Sequence, residues 1–223
     1  MTAVDAVDLD VEAGTFTAIE GPSGSGKSTL LCLLAGLEAP DRGQITVLGH
    51  DLWRLTATER ARLRQRRIGI VFQSFGLLPS LTAAENVALP LAFAGTPEHE
   101  RRRHAESALD EVGLGTSVGA RIDELSGGER QRVGIARALV IEPAVILADE
   151  PTGSLDVQNG DNVLGLLIGA VRRRGASLVL VTHDPVSAAR ADRRYAMFDG
   201  RLRAAAATAA AGDARLAGAA GPA

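Results

Sequence analysis

The chain has 223 residues, 46% of them hydrophobic and 23% charged, enough to bury one sizeable core in a single globular domain. A formal net charge of −3 at pH 7 and only 3% aromatic residues exclude nucleic acid as a partner, since phosphate neutralisation and base stacking both lack their residues. No stretch approaches the roughly 18 to 20 apolar residues of a spanning helix, and the acidic start MTAVDAVDLD is not a signal peptide, so a soluble protein of the cytoplasm is expected.

The first apolar run, residues 15–19, predicts a strand, followed by a Gly-rich loop and a helix from about Lys27 to Gly36. That loop, GPSGSGKS at 21–28, fits G-x-x-x-x-G-K-[ST] in the strand-to-helix context the pattern requires. Its glycines let the backbone curl so that N–H groups point inward, and the helix N-terminus adds about half a positive charge. Gly21, Pro22, Ser23, Gly24, Ser25, Gly26, Lys27, Ser28 and Thr29 therefore form the expected phosphate cradle, with Lys27 on the β and γ phosphates and Ser28 on Mg²⁺. Without those flanking elements the string is a Gly/Ser turn that holds a lysine. Cys32, the lone cysteine, sits in the apolar run LLCLLAGL and is expected to pack as a small hydrophobe without chemistry.

Further strands are expected at IGIVF (68–72), AVILAD (144–149) and SLVLVT (177–182), separated by helical stretches, which describes a mostly parallel sheet with helices on it. The arginines of ERARLRQRR, of 101–103 and of 172–174 read as solvated helix faces. From Gly76 to Leu139 strand signals fade and apolar spacing becomes helical, so a helical subdomain inserted into the α/β core at about 76–139 is expected. DNVLGLLIGAVRRRG places Leu164, Leu167, Ile168 and Val171 on one helix face with Gly175 as a stop. YAMFDGRLR predicts a hairpin at Asp199 and Gly200, which closes a domain of residues 1–203. The Ala/Gly-rich tail at 204–223 is expected to be disordered.

AVILADE ends a strand in Asp149 and Glu150, and strand ends deliver side chains to the edge where an α/β sheet binds ligand. Taken alone, two acids there are a strand end meeting solvent. With the phosphate loop upstream, Asp149 becomes a Mg²⁺ partner and Glu150 a general base that polarises the attacking water. LSGGERQRVGIARAL (125–139) sets Ser126, Gly127 and Gly128 before a long amphipathic helix. Locally Ser126 is an N-cap, and a capped helix end is also an anion site.

This last string closely resembles the signature motif of ABC-type ATPases, a likeness that extends over nearly the whole chain. The resemblance implies a P-loop NTPase core with an inserted helical subdomain that carries the signature, and ATP and Mg²⁺ as ligands. It further implies that residues 126–128 face the γ-phosphate bound by a second subunit of a homodimer, which drives an integral membrane permease subunit from the inner face of the membrane. Gln73 matches the glutamine that contacts Mg²⁺ and senses the membrane partner; Asp156, in SLD at 154–156, matches a residue placed across the dimer interface; His183, in VTHD, matches the histidine that touches the γ-phosphate. The residues expected to carry catalysis are thus Lys27, Glu150 and His183, and the expected metal ligands are Ser28, Gln73 and Asp149.

Within the family, IGIVFQSFGLLPSLTAAENVALPL resembles ATPases paired with lipoprotein-releasing and macrolide-export permeases, and the cell-division ATPase of that group. An ATP-dependent regulator of a cell-wall or division partner is the alternative. A chromosome-organising ATPase needs a long coiled-coil insertion between Lys27 and Ser126, where no sustained heptads occur. The family's first strand and its adenine-stacking aromatic are missing, with no Tyr, Trp or Phe before Phe16, which implies a start downstream of the usual one or a shortened protein.

Overall fold

A computed structural model describes residues 2–205. In chain order they form β1 (Phe16–Glu20), α1 (Lys27–Leu34), β2 (Thr46–Val47), β3 (His50–Asp51), α2 (Ala57–Arg67), β4 (Ile68–Val71), α3 (Ala83–Phe93) and α4 (Glu98–Glu111). Two 3₁₀ turns follow, and then α5 (Gly127–Leu139), β5 (Val145–Asp149), α6 (Val157–Arg174), β6 (Ser177–Thr182), α7 (Pro185–Ala188), β7 (Arg193–Phe198) and β8 (Arg201–Ala204).

Six strands pair in the order β4-β5-β6-β1-β7-β8, all parallel except the β7–β8 hairpin. β6 is buried along its whole length, as expected of a parallel strand covered on both faces. Side chains alternate between two apolar layers. Ile146, Leu178 and Leu180 face Val133 of α5 and Leu164 and Leu167 of α6. Leu147, Val179 and Val181 face Leu30 and Leu31 of α1. The first layer continues into Val87, Leu91 and Leu109 of α3 and α4, so the helices after β4 share the core of the sheet. Register aligns Val71, Ala148, Leu180 and Ala18 in one row, which brings the carboxyl ends of β4, β5, β6 and β1 to the same edge.

The expected strands are present within a residue of their predicted bounds, and the 195–203 hairpin turns on Asp199 (φ 48) and Gly200 (φ 78), the pair of left-handed residues a two-residue turn demands. α6 starts at Val157, four residues before the apolar run, because the Asp156 carboxylate accepts from the Asn159 N–H and caps it. The β2–β3 hairpin gave no periodic signal in two-residue strands.

The arginine runs are not simply solvated faces. Arg60 stacks over Trp53 and donates to the Leu52 and Leu55 carbonyls, and Arg64 donates to Gly36 O. Arg173 and Arg174 both bind Glu111 at the end of α4. Gly36 and Glu111 are remote in sequence from the arginines they bind, and the Arg60 partners lie in the irregular segment before α2, so helical spacing reveals none of them. β8 runs to Ala204, inside the expected tail; residues 206–223 of that tail lie outside the described residues.

Candidate functional site

β1 ends at Glu20 and the chain curls through residues 21–26 into α1, whose N-cap, Gly26, is left-handed at φ 103 and has no side-chain hydrogen bond to cap the first N–H groups. Those donors are left for an anion. Glycine is required at both ends of the curl: a Cβ at Gly21 would lie 2.2 Å from Met197 O, and one at Gly26 2.0 Å from Ala3 O. The loop is thus pressed against the backbone of β7 and of residue 3. Gly200 N–H, in the β7–β8 turn, donates to Ser25 O from behind.

Lys27, buried in the curl, donates to Gly21 O and Pro22 O at 2.8 Å each. Ser28 Oγ donates to Asp149 Oδ1 at 3.1 Å. Burial pushes the Asp149 carboxyl above the usual carboxylate range, with the charge of Glu150 adding to the shift and Ser28 and Lys27 opposing it. A hydroxyl, a carboxylate and, nearby, the amide of Gln73 make an oxygen donor set suited to a hard cation, and a divalent charge there offsets the cost of desolvating Asp149.

Glu150 follows β5 in a left-handed conformation (φ 40), tied by its N–H to Val181 O. That bend turns its carboxylate into the site. Oε1 stands 3.8 Å from Lys27 Nζ, and Oε2 lies 2.9 Å from His183 Nδ1 and 3.4 Å from Gln73 Nε2. Lys27, Ser28, Gln73, Glu150 and Ala3 line a cleft of about 330 Å³ together with residues of the glycine loop.

The sheet edge therefore brings together Lys27, Ser28, Gln73, Asp149, Glu150 and His183. Ser126, Gly127, Gly128 and Asp156 are not among the residues that line this cleft. They meet elsewhere. Ser126 caps α5 in a reciprocal box with Glu129, a Cβ on Gly127 would lie 3.4 Å from Leu155 Cδ2, and one on Gly128 would lie 3.7 Å from the amide of Asn159, which Asp156 holds. Two residues were missed in the sequence. Ala3 lines the cleft from a segment without a motif, and Gly153 leaves room for the Gln73 amide, which a Cβ would approach to 3.2 Å.

A glycine-rich strand-to-helix loop with carboxylates at the end of a nearby parallel strand defines a P-loop nucleoside triphosphatase fold. The chain belongs to the ABC transporter family, whose model matches residues 4–153. It is 47% identical over 196 residues to the macrolide export ATP-binding/permease protein MacB 1/2 of Paracoccus denitrificans (strain Pd 1222), a match covering 88% of this chain and 29% of that protein. It thus spans under a third of the length of such relatives. Against YbbA of Escherichia coli (strain K12), described as an uncharacterized ABC transporter ATP-binding protein, identity is 44% over 203 residues, 91% of this chain and 89% of the relative. Among solved structures, the dimeric post-hydrolysis ATP-binding cassette MJ0796 bound to ADP and Pi superposes with a TM-score of 0.84 at 39% identity, covering 91% of this chain and 90% of that one.

Proposed function

We propose that this chain is the ATP-binding and ATP-hydrolysing subunit of an ABC transporter, acting as a dimer on a separate integral membrane permease of the export, lipoprotein-release or mechanotransmission type. The convergence of Lys27, Gln73 and His183 on the single carboxylate of Glu150 carries this reading. Such a carboxylate is placed to accept a proton from water held beside the phosphate cradle, and His183 fixes its orientation. Lys27, whose ammonium donates to the Gly21 and Pro22 carbonyls and faces Glu150, is ready to exchange those carbonyls for phosphate oxygens. Ser28, Asp149 and Gln73 would hold Mg²⁺, which supplies neutralisation of phosphate charge.

Ser126, Gly127 and Gly128, with Asp156 beside them, present a helix N-terminus away from the chain's own cleft. Facing the cleft of a second copy, they complete a site that neither copy holds alone. MJ0796, which is dimeric with ADP and Pi bound, supports this arrangement. The nucleotide-binding domain takes in residues 1–203, with the helical subdomain at about 76–139. Among the described residues no helix is long and apolar enough to cross a membrane. In this reading the permease holds the chain at the inner face of the cell membrane.

The test is to capture tagged Glu150→Gln chain with Mg²⁺ and ATP from detergent-solubilised native membranes and to identify its partners by mass spectrometry. Recovery of a permease supports the reading. Recovery of soluble or DNA-associated proteins alone overturns the membrane assignment.

A further inference from the structure

The segment between β4 and α3 carries Gln73 and forms no helix or strand from Phe72 to Leu81. Its backbone is held by one stripe of α5. Arg130, Gly134 and Arg137, spaced i, i+4, i+7, fall on one helix face. The Arg130 guanidinium lies 5.5 Å from the centroid of the Phe75 ring, and a Cβ on Gly134 would stand 3.5 Å from Phe75 O. Arg137 donates to Phe75 O at 2.9 Å and to Gly76 O at 2.5 Å, the carbonyls of two successive left-handed residues (φ 62 and 59). On the other side of Gln73, the fully buried amide of Gln131 approaches Phe72 O at 3.4 Å. Arg137 has no carboxylate within ion-pair distance among the described contacts, so the loop carbonyls are the acceptors shown for its partly buried charge. The opposite end of the same helix is the Ser126, Gly127, Gly128 turn, roughly 16 Å away at about 1.5 Å per residue.

We propose that Arg137 is a positioning residue that clamps the loop through the Phe75 and Gly76 carbonyls, sets Gln73 against Glu150, and makes the loop and α5 one body. The inference rests on the proposed ATPase reading for its catalytic consequence, but the clamp itself can be read without nucleotide. Lysine keeps the charge of arginine and lacks the planar fork that spans two carbonyls.

In Arg137→Lys, amide hydrogen exchange across residues 73–78 is expected to accelerate at least about tenfold while exchange in β5 and β6 is unchanged. The kcat for ATP is expected to fall about tenfold with KM changed less than about twofold, and in a Gln73→Ala background the same substitution is expected to cost less than about twofold. Unchanged exchange overturns the clamp. An equal loss of kcat in both backgrounds overturns its action through Gln73. A wild-type chain that fails to hydrolyse ATP contradicts the proposed function and leaves the exchange result to decide the clamp. Should Arg137→Lys unfold, Gly134→Val, which pushes on Phe75 O from the same stripe, is expected to give the same loop-restricted exchange.

Discussion

Glu150 Oε2 and His183 Nδ1 lie 2.9 Å apart although 33 residues separate them in sequence. A carboxylate only accepts hydrogen bonds, so Nδ1 is the protonated ring nitrogen in this pairing. Parallel pairing of β5 with β6 makes the contact, because Asp149 is in register with Val181 and both strands end at the same edge. Changing Glu150 to Gln keeps the shape and removes the proton acceptor. The variant is expected to bind ATP within about threefold of wild type and to lose at least about a hundredfold in kcat, read by nucleotide-binding fluorescence and phosphate release.

Asp149 makes the nucleotide-free protein sensitive to pH. Its native carboxyl is held above the ordinary range by burial, so the native state binds this proton more tightly than the unfolded chain. The stability from that proton is complete below about pH 4 and is lost as pH rises through the native value. Asp149→Asn is therefore expected to melt higher than wild type at about pH 7 without nucleotide, a difference that vanishes near pH 3, while Mg²⁺-dependent hydrolysis is lost. Melting curves with and without Mg²⁺ and ATP check both parts.

The opposite sign holds for Glu111, which Arg174 and Arg173 keep below the ordinary carboxylate range. Its contribution is present above about pH 4.3 and fades as pH falls through the lowered native value. Glu111→Gln is expected to cost about 1–2 kcal/mol in urea unfolding at neutral pH, reduced for partial exposure, and almost nothing under acid conditions.

Ser126 has both a structural and a proposed ligand role, and the two are separable. Ser126→Ala removes the cap of α5 and is expected to cost about 1 kcal/mol. Asn caps as well as Ser, so Ser126→Asn is expected to keep wild-type stability. A further loss of hydrolysis in that variant, measured beside its melting temperature, isolates the ligand role.

The phosphate loop was legible because all its parts are consecutive. Strand, glycines, Lys27 and Ser28 occupy one short window, and the structure has the strand, the curl and the helix in that order. Asp149 and Glu150 were legible at the end of an apolar run, but the turn of Glu150 into the cleft depends on its left-handed backbone and its bond to Val181 O, which only β6 supplies. Gln73 and His183 carry no local signal and were found through the family likeness. Hidden altogether were partners set by tertiary packing: Ala3 over Gly26, Gly200 behind Ser25, and Arg137 on the loop of Gln73. Each joins backbone to a residue far along the chain, where periodicity says nothing.

The most direct test of the shared-site account is the mass in solution of the Glu150→Gln chain, by light scattering, with and without ATP and Mg²⁺. The account predicts a monomer of 23.2 kDa without nucleotide and twice that mass with ATP, a doubling that Ser126→Asp abolishes by setting a negative charge against phosphate. A mass that stays at the monomer value at saturating ATP, or a dimer indifferent to Ser126→Asp, would contradict it.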